Sequence, residues 1–179
     1  LHGGVHDYKK HDFFSFNHLD CVDADERILQ YLKDSGTKAI ALFPVCHKSN
    51  NPKTVAWKDC YDDVEHIIND YINKGLVDKK RIYVTGSSDG GVGTWDYAEK
   101  HPEMFAAAIS MSCSSPRKVD IPIYFFNTRS EKDCTDKVKE LKKKGVKVKY
   151  KYCPQYKHGG DAAECTPELL KEFFSIKKK

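Results

Sequence analysis

Apolar residues along this chain fall into two kinds of pattern, one with helical spacing and one of short continuous or alternating runs. Helical spacing beside a charged face predicts helices over residues 20–35, 60–74, 90–100, 135–144 and 167–176. The short runs predict strands over residues 38–45, 81–85, 105–111, 122–127 and 146–153. A loop is predicted over residues 46–58, which contain two asparagines and a proline.

Predicted strands and helices alternate along most of the chain, and this order indicates an α/β fold. Such alternation predicts a mostly parallel sheet that is flanked by helices on both faces. In these sheets the working groups lie on loops at the carboxyl ends of the strands. The chain shows no internal repeat, low-complexity segment or linker, so residues 1–179 are predicted to form a single domain.

The predicted strand at 81–85 leads straight into the sequence GSSDG at 86–90, and helix-compatible sequence follows. A strand, a sharp turn and a helix with Ser88 at the apex are typical of an exposed nucleophilic serine. Ser87 is the competing hydroxyl, but the spacing from the two glycines selects Ser88. A side chain at either glycine would clash, because the turn is strained and the helix packs closely. The alternative is a glycine- and serine-rich turn without chemistry.

A serine nucleophile needs a base, usually a histidine that is oriented by a carboxylate. His158 follows the predicted strand at 146–153, and Asp133 follows the one at 122–127. Both therefore belong to the sheet edge that carries Ser88. We expect Asp133 to be the acid, with Glu131 next and Asp136 in the same loop also open. An exposed loop histidine is the alternative for His158.

Ester attack also requires donors for the developing oxyanion. One expected donor is the backbone N–H of Asp89, the residue after the serine. Another is the N–H of Gly4 in the opening sequence LHGG, with Gly3 as the alternative. Glycine in that place lets the backbone approach the substrate, although the tetrapeptide is otherwise readable as a flexible terminus.

Composition excludes several other classes of function. The chain has 179 residues, 40% hydrophobic content and a net charge of +4, and its lysines are interleaved with acids. A basic stripe with aromatics, which nucleic-acid binding would require, is not seen, and no apolar run approaches the ~20 residues of a membrane span. The seven cysteines form no C-x-x-C pair. We expect scattered free thiols in a reducing compartment, with one or two disulfides if the protein is exported, and no metal site.

Several stretches of the chain match the pattern of one family: LHGG at 1–4, KAIALFPVC at 38–46, KHGGDAA at 157–163 and, above all, the block at 78–112. On these stretches the chain resembles α/β-hydrolases of the esterase D, feruloyl esterase and polyhydroxybutyrate-depolymerase-like group. The resemblance implies hydrolysis of carboxylic esters through an acyl-serine, without a cofactor. It also implies a small-molecule or carbohydrate-linked ester as substrate, such as a feruloyl or acetyl ester. From the composition we expect no nucleic-acid or membrane partner.

The chain departs from that family in three places. The family has strands before the HGG loop, so we expect a domain that lacks its N-terminal strands and has a sheet edge that is either open or completed by another segment. Asp89 stands where the family often has methionine, and the loop NTRSEKDC at 127–134 replaces a short HGxxD-type turn. A serine peptidase and a catalytically inactive binding module therefore remain alternatives. Candidate substrate contacts are His47 and Trp57, and Trp57 is equally readable as a core residue.

Overall fold

The computed structural model describes residues 1–3, 22–46 and 56–178. In these ranges the helices are α1 (Val22–Asp34), α2 (Tyr61–Asn73), α3 (Asp89–Lys100), α4 (Thr135–Lys143) and α5 (Pro167–Ser175). The strands are β1 (Tyr83–Ser87), β2 (Ala107–Met111), β3 (Ile123–Thr128) and β4 (Val148–Cys153). Short 3-10 helices, which the sequence patterns did not predict, lie at Trp57–Asp59 and Gly160–Glu164.

The four strands form one parallel sheet in the order β1-β2-β3-β4. The register pairs Ser87 with Met111 and Thr128 with Cys153, each at the end of its strand. The loops after these strands therefore leave the sheet along one edge, where a parallel α/β sheet carries its functional groups. The predicted parallel sheet is confirmed for these strands.

Helices cover both faces of the sheet, as alternate residues of β3 show. Phe125 packs edge-on against Trp95 of α3, with ring centroids 5.5 Å apart, in the core that α2, α3 and α4 cover. Tyr124 points the other way and meets Phe173 of α5 at 5.6 Å, in the core that α1 and α5 cover. The period of two along each strand thus supplies two apolar layers.

The strand predicted over residues 38–45 is wrong. The structure has no strand in this segment, and the side chains of Ile40 and Leu42 are 45% and 37% exposed. This segment and β1 line the same groove, but the segment pairs with none of the four described strands. β-propensity alone does not make a strand without such a partner. The amine of Leu1 lies at the same side of the sheet and donates to the carbonyl of Thr85 at 2.6 Å.

The cysteines only partly follow the expectation of scattered free thiols. Cys46 and Cys60 form a disulfide, with their Cα atoms 6.2 Å apart. Fold geometry rather than sequence spacing brings this pair together. The other cysteines in the described ranges are free and buried, namely Cys113, Cys134, Cys153 and Cys165.

Candidate active site

Ser88 lies at the junction of β1 and α3 in a backbone conformation that residues other than glycine rarely adopt. Its φ and ψ are 57° and −124°, and such strain in a native structure points to function. The Ser88 N–H donates to the carbonyl of Met111 at 3.1 Å, which ties the turn to the end of β2. Its hydroxyl does not cap α3, and the residue is half-buried. The turn therefore presents this hydroxyl at the carboxyl edge of the sheet.

The two glycines of the turn are required by close backbone contacts. A Cβ atom on Gly86 would lie 2.3 Å from the carbonyl oxygen of Gly90. A Cβ atom on Gly90 would lie 2.0 Å from the carbonyl oxygen of Leu1 and 2.7 Å from that of His2. These distances confirm the predicted steric role of both glycines. They also show that the opening segment of the chain packs directly on the serine turn.

The opening segment is held in place by His2, which is buried. Its Nε2 accepts the N–H of Cys46 at 3.1 Å, so Nδ1 carries the proton and donates to the Gly3 carbonyl at 2.7 Å. The indole N–H of Trp57 donates to the His2 carbonyl at 3.0 Å. Gly4, the predicted oxyanion donor, lies outside the described residues. Its neighbour Gly3 is buried beside the serine turn.

His158 and Glu131 meet across the loops that follow β4 and β3. Nδ1 of His158 lies 2.5 Å from Oε1 of Glu131, and the backbone N–H of His158 donates to the Ser130 hydroxyl at 3.0 Å. The Glu131 side chain is 8% exposed, whereas that of His158 is 45% exposed. We assign the Nδ1 proton to this contact, which leaves Nε2 as the acceptor nitrogen of the neutral ring.

The surroundings of Glu131 favour its charged form. Burial raises the pKa of this carboxyl, but hydrogen bonds from His158 and Thr128 outweigh it and bring the pKa below its ordinary value. The backbone N–H and the hydroxyl of Thr128 donate to Oε2 at 2.8 and 2.7 Å. The carboxylate is therefore ionised at neutral pH and is held by three donors.

Asp133, the acid expected from the sequence, does not contact His158 in the structure. Its carboxylate is exposed and accepts the N–H and hydroxyl of Thr135 at 2.8 and 2.6 Å, together with the Tyr150 hydroxyl at 3.0 Å. Hydrogen bonds from Thr135 lower its pKa. Asp133 thus stabilises the start of α4. The Glu131 N–H bonds to the Thr128 carbonyl and folds the loop so that Glu131 points inward.

Another buried carboxylate, that of Asp161, lies close to His158 and was not predicted from the sequence. Asp161 is fully buried and accepts the N–H and the hydroxyl of Ser112 at 2.7 and 2.6 Å. The Ser112 oxygen in turn accepts the N–H of Gly159, next to His158, at 2.8 Å. The only sequence signal was the aspartate three residues after His158, which looks like a polar loop residue.

The serine turn and the histidine loop meet at the end of β2. The Met111 carbonyl accepts the N–H of Ser88, and the hydroxyl oxygen of the next residue, Ser112, accepts the N–H of Gly159. Within the described part of the chain, however, the Ser88 hydroxyl forms no hydrogen bond to the His158 ring. The structure therefore pairs histidine and acid and brings the serine turn to the same edge.

The remaining predicted site residues have mixed outcomes. Trp57 is 2% exposed, and its ring packs against Gly93 of α3 and against His2, so it is a core residue and has no free face for a substrate. Asp89 is the first residue of α3, where a negative charge is favoured by the helix dipole. His47 lies outside the described residues.

Two further findings concern only the described ranges. There, no set of three or more histidine, cysteine or acidic side chains is grouped closely enough to hold a metal ion. The helices in these ranges also lack the length and apolar character needed to cross a membrane.

Comparison with known proteins gives a family match over part of the chain. The model of the prolyl oligopeptidase family matches residues 51–116, which include the serine turn and α3. No curated protein matches the chain in sequence. This family match covers less than half of the chain.

Solved structures similar to the chain include two esterases and SOBER1. A thermostable esterase is 27% identical, with a TM-score of 0.58 over 73% of this chain and 40% of its own. SOBER1 of Arabidopsis thaliana is 19% identical, with a TM-score of 0.61 over 85% of this chain and 90% of its own. A carboxylesterase of Bacillus cereus is 11% identical, with a TM-score of 0.58 over 82% of both chains.

Sheet order, flanking helices and these likenesses define the α/β-hydrolase fold. The chain spans 40% of the length of the thermostable esterase. The α/β-hydrolase part of the predicted resemblance is confirmed at the level of the fold. The narrower group of esterase D, feruloyl esterases and polyhydroxybutyrate depolymerases stays a prediction.

Proposed function

We propose that this chain carries the active site of a serine hydrolase that cleaves carboxylic esters through an acyl-serine intermediate. In this proposal Ser88 is the nucleophile, His158 the general base and Glu131, in place of Asp133, the acid. The observation that carries it is the His158–Glu131 hydrogen bond at the sheet edge where the strained Ser88 turn stands. No cofactor is needed for this chemistry.

The geometry supports a two-step reaction. Nε2 of His158 takes the Ser88 proton as the serine oxygen attacks the ester carbonyl, and the protonated ring then gives that proton to the leaving alcohol. Water attacks the acyl-serine in the same way and regenerates the hydroxyl. Glu131 remains ionised and stabilises the imidazolium through its contact with Nδ1. In this proposal the hydrogen bond between Ser88 and His158 forms when the substrate binds, because catalytic hydrogen bonds are often long or poorly aligned before that step.

The proposed oxyanion donors are the backbone N–H groups of Asp89 and Gly4, with Gly3 as the alternative to Gly4. Asp89 begins α3, so its N–H belongs to the positive end of the helix dipole. Close packing of Leu1 and His2 on Gly90 supports a donor from the opening segment. Each such donor contributes about 10²- to 10³-fold to the rate of acyl transfer.

The proposed substrates are small or carbohydrate-linked esters, such as acetyl or feruloyl esters. The 27% identity to a thermostable esterase supports the choice of ester over amide. Trp57 no longer enters the proposal, because its ring is buried. His47 remains a proposed substrate contact.

A peptidase of the same fold is the second candidate, because the matching family model is that of prolyl oligopeptidases. Both reactions would use Ser88 and His158, so only the leaving group separates them. A p-nitrophenyl ester and a p-nitroanilide with the same acyl group make the comparison. Turnover of the ester alone supports the esterase, and turnover of the anilide at a comparable kcat/KM supports the peptidase.

The proposal is tested by hydrolysis of p-nitrophenyl acetate. Ser88→Ala is expected to lower kcat/KM to background, whereas Ser175→Ala, at an exposed hydroxyl on α5, is expected to match the wild type. Ser87→Ala tests the competing serine. Equal background rates for the wild type and Ser88→Ala would contradict the enzyme and support an inactive binding module. Activity that is lost in Ser87→Ala but kept in Ser88→Ala would overturn the nucleophile.

A further inference from the structure

Asp161 is a fully buried carboxylate for which the proposed reaction has no use. It lies on the 3-10 helix Gly160–Glu164, and its side chain bonds to Ser112, whereas the His158 ring bonds to Glu131. Both of its oxygens are aimed at one residue, since Oδ2 accepts the N–H of Ser112 and Oδ1 its hydroxyl. A fully buried carboxylate that lies outside the proposed reaction calls for an explanation.

Ser112 links Asp161 to the loop after β4 that carries His158. With its hydrogen directed to Asp161, the Ser112 oxygen is left as an acceptor and takes the N–H of Gly159 at 2.8 Å. Gly159 follows His158 directly and turns the chain with a φ of 82°. Ser112 is itself held in the left-handed region, at a φ of 47°. Ser112, which is in an uncommon conformation for a residue other than glycine, thus meets the glycine turn at one hydroxyl that Asp161 orients.

The contact also has a cost that favours a functional role. Burial raises the pKa of Asp161, and the hydrogen bonds from Ser112 offset this only in part, while the nearby charge of Glu131 raises it further. A second carboxylate beside Glu131 is therefore unfavourable for the folded state at neutral pH. Natural proteins keep such unfavourable buried groups mainly at functional sites.

We infer that Asp161 is a positioning residue, which orients the Ser112 hydroxyl and through it fixes the backbone beside His158 so that the ring faces Ser88. The inference rests on the proposed function of Ser88 and His158. Asp161 touches neither the substrate nor the reacting atoms. Without it, the Ser112 hydroxyl turns freely, Gly159 loses a fixed acceptor, and the ring of His158 samples positions away from the serine.

The test compares Asp161→Ala, Asp161→Asn and Ser112→Ala with a control, Tyr61→Phe. The Tyr61→Phe substitution removes a buried hydroxyl that donates to Gly93 and Asp96, away from the loop that carries His158. Two readouts are taken on the folded proteins. One is the rate at which a fluorophosphonate labels the serine. The other is the NMR resonance of the Nδ1 proton that His158 donates to Glu131.

Asp161→Ala and Ser112→Ala are expected to label about 10- to 100-fold more slowly, the cost of a misplaced catalytic group, and to lose or broaden the resonance. Asp161→Asn keeps one acceptor oxygen and should fall between, and Tyr61→Phe should match the wild type. Wild-type labelling rates in the variants would overturn the inference. Slower labelling with an unchanged resonance would also overturn it, since the effect would then not pass through His158.

The two proposals fail in different ways. A wild type that does not react with the fluorophosphonate contradicts the serine hydrolase, yet the His158 resonance in wild type and Asp161→Ala still decides whether Asp161 positions the ring. A reactive wild type with equally reactive variants contradicts only the positioning role. If Asp161→Ala does not fold, Asp161→Asn and Ser112→Ala decide the question.

Discussion

Glu131 and Asp161 are both removed from solvent beside His158, but they belong to different loops and bind different parts of it. Glu131, after β3, contacts the ring, and its three donors bring its pKa below the ordinary value. Asp161, after β4, holds the backbone through Ser112, and burial raises its pKa. The surroundings therefore favour the charged form of Glu131 and disfavour the charged form of Asp161.

In the proposed mechanism these two buried acids have different roles. The acid that contacts the ring must stay ionised, because it stabilises an imidazolium during the reaction. The acid that contacts the backbone needs only to accept hydrogen bonds in a fixed geometry. Removing the first should therefore act mainly on chemistry, and removing the second on the alignment of the ring.

The largest expected effect is that of Glu131→Gln. Loss of the ionised partner removes both the stabilisation of the imidazolium and the preferred tautomer, so kcat should fall on the order of 10³- to 10⁴-fold. Asp133→Asn, two residues further along the same loop, is the matched control and should change kcat by less than about two-fold. Ester hydrolysis by both variants measures the difference.

The reverse result would restore the acid expected from the sequence. If Asp133→Asn lost more activity than Glu131→Gln, the contact between Glu131 and His158 would not be the one used in catalysis. Equal small losses in both variants would mean that neither acid serves the base.

A smaller effect is expected from Thr128→Val, which removes the hydroxyl that donates to Oε2 of Glu131. The backbone N–H of Thr128 remains, so the loss of one hydrogen bond of about 1 kcal/mol should slow kcat about five-fold. Thr135→Val removes the equivalent hydroxyl from Asp133 and should leave kcat unchanged. Sensitivity to Thr135 rather than Thr128 would reverse the assignment of the acid.

The smallest effect concerns stability and pH. The folded pKa of Glu131 lies below its ordinary 4.5, so its stabilising charge is present above that pH and is lost as pH falls through the folded value. The excess stability of the wild type over Glu131→Gln should therefore shrink on acidification.

The opposite trend is expected for Asp161, whose folded pKa is raised above its ordinary 3.8. The folded state binds this proton more tightly, so the wild type should gain stability relative to Asp161→Asn as pH falls from the raised value towards 3.8. Urea unfolding at several pH values checks both trends. Parallel trends for the two variants would contradict the comparison.

Local patterns predicted the parts of the site that depend on local chemistry. The strand, glycines and helix around Ser88 follow from residue types within one short segment, and the loops of His158 and Glu131 follow from the alternation of elements. The choice of Glu131 over Asp133 depends on how one loop folds back on Thr128, which spacing does not reveal.

Other features depend on partners that are distant in the chain. The segment at 38–45 has strand propensity but pairs with none of the four described strands. The Cys46–Cys60 bond and the contact between Asp161 and Ser112 join residues whose proximity only the fold creates. Trp57 has the large aromatic ring expected of a substrate contact, but the structure buries this ring in the core.

The most direct test of the account is peptide mapping by mass spectrometry after treatment with a fluorophosphonate. The account predicts one phosphonyl adduct, on Ser88, that forms in the wild type and not in His158→Ala. An adduct on Ser87 or another hydroxyl, or equal labelling of Ser88 in His158→Ala, would contradict a serine that is activated by the paired histidine.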